Sequence, residues 1–145
     1  NGLYKIGQEG VTADEKETDI RLLSTTSPHE AVIELKLADE RTVKDLRGTI
    51  EDQLVTKYMA PENRRSGCLM FTVSKVRQWI HPDTGVSIGL PELVALLREE
   101  ASSIVQKLGG PLYLHVHALD LRPRLPTEAK RVKKTSSRKK SPPSK

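Results

Sequence analysis

The sequence predicts one α+β domain, on three observations. Several short runs alternate apolar and polar residues at the period of a strand. Two longer runs repeat apolar residues at spacings of three and four, the period of a helix. The two kinds are interleaved as strand, strand, helix, strand, short strand, helix, strand. A chain of 145 residues is one domain by length, and roughly 100 residues suffice for a modest two-layer core. With three Tyr, one Trp and one Phe, that core is built from Leu, Val and Ile.

Residues 1–18 are expected to be a flexible leader, acidic and glycine-containing, that docks locally through Leu3, Tyr4 and Ile6. The folded domain is placed at residues 19–121. Ile20 to Ser24 and Ala31 to Leu37 form a hairpin about the turn Thr25-Thr26-Ser27-Pro28-His29. In the second strand Ala31, Ile33, Leu35 and Leu37 share one face, expected inward, while Val32, Glu34 and Lys36 share the other. Thr42 opens a helix, with Asp45 three residues on to complete a capping pattern. Its stripe is Val43, Leu46, Ile50 and Leu54, and Met59-Ala60-Pro61 ends it.

Cys68 to Val73 is too short and too apolar for anything but a central strand, and Val76 to Ile80 is expected to be a shorter one. His81-Pro82-Asp83-Thr84-Gly85 reads as a turn. Pro91 suits the first turn of a second helix with the stripe Leu93, Leu97, Ile104 and Leu108, widened by Leu96 and Val105. Gly109-Gly110-Pro111 stops it, and the closing strand Leu112 to Leu119 turns Leu112, Leu114, Val116 and Ala118 inward.

The opening hairpin, the helix Thr42-Val43-Lys44-Asp45-Leu46 entered directly from it, the loop at Pro61 leading to Leu69-Met70-Phe71, and the closing strand Leu112-Tyr113-Leu114-His115-Val116 resemble the ubiquitin-like β-grasp family over about residues 20–121. The resemblance implies a β-grasp-like mixed sheet with two helices, the closing strand at its centre, in a protein-binding module. Residues 91–108 form a longer helix than ubiquitin carries there. Discarding the first strand gives the alternative ferredoxin-like order of RNA-recognition motifs, to which Arg65-Ser66-Gly67-Cys68-Leu69-Met70-Phe71-Thr72-Val73 bears a distant likeness. Cys68 and Met70 stand where base-stacking aromatics are required, which argues against reading RNA on the sheet.

Charge is distributed unevenly. Residues 122–145 hold ten Lys or Arg against one acid, a net +9, so the chain total of +5 leaves residues 1–121 at −4. The segment is expected to be a disordered basic tail whose cluster Lys130, Arg131, Lys133, Lys134, Arg138, Lys139 and Lys140 binds a polyanion. Nucleic acid or a nuclear import receptor is the leading partner. An acidic protein surface such as a microtubule is the alternative, supported by resemblance to the doublecortin branch of the same family. Thr135, Ser136, Ser137 and Ser141 lie within the cluster, where phosphorylation would remove about two charges per site.

No residue constellation points to catalysis. The single cysteine, Cys68, excludes an intramolecular disulfide and is expected to be a small strand residue. His115 and His117 face one way but lack a third ligand, so no metal site is assigned. Gln106-Lys107-Leu108-Gly109-Gly110 is a helix stop and not a conjugating tail, because a strand follows. Asp45, Glu51, Asp52, Glu92, Glu99 and Glu100 are expected on solvated helix faces, with no carboxylate pair in an apolar pocket. The expectation is a non-enzymatic adaptor without cofactor, nuclear more readily than cytoplasmic, that binds a protein through its sheet or an edge strand and nucleic acid through its tail. A structural subunit of a ribonucleoprotein or cytoskeletal assembly is the alternative. No apolar run reaches the roughly 20 residues that cross a bilayer, so no membrane insertion is expected.

Overall fold

The computed structural model describes residues 2–8 and 19–123. These form β1 (Tyr4–Gln8), β2 (Asp19–Ser24), β3 (Glu30–Leu37), α1 (Val43–Gly48), β4 (Arg64–Val73), β5 (Trp79–Ile80), β6 (Ser87–Ile88), α2 (Leu90–Leu108) and β7 (Tyr113–Asp120). A 3-10 turn, Ala38–Glu40, precedes α1, and a π-helical segment, Thr49–Tyr58, continues it. Five strands make one mixed sheet in the order β1-β2-β3-β4-β7, and β5 pairs with β6 in a separate ribbon. The fold is therefore α+β, as expected. β1, β2 and β3 are antiparallel neighbours, whereas β3, β4 and β7 run parallel.

Three expectations change. Part of the supposed leader is an edge strand: Tyr4 to Gln8 pairs with β2 from Ser24 to Ile20, because Tyr4 and Ile6 extend an apolar sheet face. The strand expected at Val76 to Ile80 shrinks to Trp79–Ile80 and leaves the main sheet, where Trp79 buries its ring and donates its indole N–H to the Arg41 carbonyl at 3.2 Å. The closing strand lies at the edge of the sheet, bonded to β4, and not at its centre.

The helices start where their caps predict. Thr42 accepts the Asp45 amide at 3.1 Å while Asp45 accepts the Thr42 amide at 2.9 Å, satisfying two otherwise free donors. At Thr49 the side chain takes the Asp45 carbonyl at 3.0 Å, and beyond it the ladder widens to π spacing, as in Met59 N–H to Leu54 O at 3.0 Å. Glu92 accepts the Gly89 amide at 3.1 Å at the start of α2. Gly109 and Gly110 end it at φ +65° and +79°, conformations that other residues avoid.

Leu46, Ile50, Leu69, Phe71, Val73, Trp79, Leu93 and Leu97 are buried together between the helices and one face of the sheet. Ala101 joins them, whereas Leu108, expected on the stripe, is exposed. The largest departure is β3. The strand turns Val32, Glu34 and Lys36 toward the helices and leaves Leu37 exposed, the reverse of the expected facing. Two successive parallel crossovers, β3 to β4 and β4 to β7, advance the same way along the sheet and share one hand, so both helices land on a single face. That topology decides which face of β3 is covered, and the covered one carries a carboxylate and an ammonium.

Candidate functional site

Glu34 and Lys36 alternate with Ile33 and Leu35 on β3, so both point beneath the helical layer. Lys36 Nζ lies 2.6 Å from Glu34 Oε1, with both side chains almost wholly excluded from solvent. Removing two charges from water costs several kcal/mol each and is offset only by complete hydrogen bonding. Glu34 Oε2 receives no N–H or hydroxyl donor, and Glu34 is hydrogen-bonded instead to the Asp19 carboxyl.

The β2–β3 register sets Asp19 directly opposite Glu34. Two facing carboxyls can join only by sharing a proton. Burial pushes Glu34 up to about 7, the Asp19 carboxyl adds to the rise, and the Lys36 ammonium opposes it. From the π-helical segment, buried Tyr58 donates its hydroxyl to Asp19 Oδ2. Lys57 Nζ approaches the Tyr58 oxygen at 3.0 Å and stands 4.7 Å from the ring centroid.

The helices pack on β3, β4 and β7. On the same face of β2 and β1, beside Asp19, Arg21 is half-buried and Lys5 is exposed. Asp19, Glu34 and Lys36 thus lie at the boundary between a dry helical layer and a cationic shelf. Two carboxylates with a lysine cannot make a closed transition-metal site, and among the described residues no three His, Cys, Asp or Glu side chains converge to hold a metal. The Lys36 ammonium, 2.6 Å from Glu34 Oε1, already fills the place that a cation would take.

The sequence-based candidates fall elsewhere. Lys130, Arg131, Lys133, Lys134, Arg138, Lys139 and Lys140 lie outside the described residues. His115 and His117 share the face of β7 turned away from the helices, with Cys68 opposite His115 in register. Burial pushes the Cys68 thiol up, which disfavours a thiolate nucleophile. Glu100 binds Arg47 at 2.7 Å, and Asp45 and Glu92 cap helices.

The sequence reading did not anticipate the approach of Asp19 to Glu34. Their one signal in the sequence is the Glu34-x-Lys36 pair of opposite charges inside an otherwise apolar run; nothing there announces Asp19, fifteen positions earlier.

The sheet face opposite the helices carries Tyr4, Ile6, Ile20, Leu22, Ile33, Leu35, Cys68, Met70, Tyr113, His115, His117 and Leu119, positions without a single Asp, Glu, Lys or Arg. Tyr4, Ile6, Tyr113 and Leu119 are exposed on it. Among the described residues no helix is long and apolar enough to cross a membrane. No family model, no curated protein and no solved structure matches the chain.

Proposed function

We propose that the domain is a non-enzymatic protein-binding module whose basic C-terminal segment contacts nucleic acid. The observation that carries this reading is the open face of the sheet, on which Tyr4, Ile6, Tyr113 and Leu119 are exposed and the described strand positions hold no Asp, Glu, Lys or Arg.

The +9 segment at residues 122–145 retains the polyanion by charge.

The uncharged open face of the sheet is the proposed docking surface. A second copy of the chain suits it, since face-to-face packing brings no like charges together. Sedimentation should then show a dimer that Ile33→Glu converts to a monomer; a monomeric wild-type chain rejects self-association.

A further inference from the structure

We infer that the outer edge of β7 docks an extended segment of a partner protein as an added antiparallel strand, with an acidic residue two positions before an apolar one; the inference rests on the protein-binding reading above and adds an edge to its open face. β7 is the last strand of the described sheet. Leu121 donates its amide to the Val73 carbonyl at 2.8 Å, and backbone groups alternate sides along a strand. Counted back through the unbroken register with β4, Leu119, His117, His115 and Tyr113 turn their backbone groups toward β4. Those of Leu114, Val116 and Ala118 therefore face outward.

Sheet edges are ordinarily blunted by charged residues, proline or a bulge. From Tyr113 to Leu119, β7 has no Asp, Glu, Lys, Arg or Pro and no shift of register. Arg98 of α2 reaches it from the helical layer, its Nε donating to the Val116 carbonyl at 3.4 Å. A further strand would take that carbonyl at about 2.9 Å. Arg98 is exposed, so it can yield the carbonyl and turn its guanidinium to an incoming carboxylate, a stronger, charge-assisted bond.

Beside this edge, a groove of about 300 Å³ is lined by Ser102, Val105 and Gln106 of α2 together with Leu112 and Leu114. It has room for one aliphatic side chain. Along α2, Arg98 stands by Val116 and Val105 by Leu114. Residues directly opposite one another in a ladder share a face, so partner residues paired with Leu114 and Val116 direct their side chains toward α2. The one opposite Leu114 fills the groove, and the one opposite Val116 meets Arg98. Antiparallel pairing, the more stable ladder, places the second before the first, which fixes the order as acidic, any residue, apolar.

The experiment is fluorescence anisotropy of the labelled peptide Ser-Thr-Glu-Thr-Leu-Thr-Ser with the full chain, at about 0.15 M salt to screen the basic segment, with a thermal melt of each variant. Wild type should bind. N-methylation of the peptide's Glu and Leu amides, which face β7, should weaken binding at least 10-fold, whereas N-methylation of the Thr between them, whose amide faces away, should leave it unchanged. Arg98→Glu should weaken binding about 10-fold without moving the melt, and a peptide with Lys in place of Glu should recover it. Ile33→Glu, on the open face two strands away, should bind the peptide as wild type does. No binding by wild type, equal effects of the two methylations, or indifference to Arg98→Glu would overturn the edge site and leave the open-face reading to its own sedimentation test. Loss of peptide binding in Ile33→Glu would place the peptide on the open face, overturning this inference while supporting that reading.

Discussion

Replacing Glu34 and Lys36 together by Leu and Met should stabilise the fold at high pH. The magnitude follows from the burial of Glu34. Its carboxyl rises from 4.5 to about 7 in the folded chain, and at 1.36 kcal/mol per unit this corresponds to about 3 kcal/mol. The folded state holds a proton between pH 4.5 and 7 that the unfolded chain has already released. Stability therefore falls as pH rises through that window and levels off above the folded value.

Between pH 5 and pH 8 the wild type should lose roughly 2–3 kcal/mol through this group. The double variant has no such group, and removal of the pair adds about 1–4 kcal/mol by sparing the desolvation of two charges. Urea melts at both pH values, followed by the fluorescence of buried Trp79, measure the difference of differences and cancel every other titrating residue. Parallel pH profiles for wild type and double variant would show that Glu34 keeps its charge at little cost, and the argument from an unsatisfied buried pair would fail.

Other outcomes follow from packing and charge. A Cβ on Gly67 would stand 2.6 Å from Met59 Sδ and 3.0 Å from two Leu54 atoms, so Gly67→Ala should destabilise by about 1–3 kcal/mol in a denaturant melt; an unchanged midpoint would mean that Met59 swings aside freely. Thr42→Ala removes the acceptor for the Asp45 amide and should cost about 1 kcal/mol, with the loss recovered by Thr42→Ser. Deleting residues 122–145 should leave the melting temperature nearly unchanged while removing polyanion retention. In the full chain, if about six cations sit on phosphates, affinity for duplex DNA should drop near 10³-fold between 50 and 200 mM salt irrespective of sequence. A salt-insensitive or sequence-selective affinity would place recognition in the folded domain.

The sequence by itself determined the element order, because periods of two and of 3.6 are local properties and caps are chemical ones. Val43, Leu46, Ile50 and Leu54 had to share a helix face, and all are buried; Thr42 with Asp45 and Gly109 with Gly110 had to mark helix ends, and they do.

Tertiary structure alone decided which side of each strand became the interior. On β3 the apolar set Ala31, Ile33, Leu35 and Leu37 looked like the core side by composition, yet the crossover topology put the helical layer on the side of Val32, Glu34 and Lys36. It likewise made Tyr4–Gln8 a strand, since an edge segment acquires its hydrogen bonds only when β2 is already in place. The candidate site is non-local for the same reason. Asp19 meets Glu34 through an antiparallel register and Tyr58 through a helix packed across it, and neither relation leaves a fixed spacing along the chain, because strand register and helix packing are set by long-range burial and not by neighbouring residues.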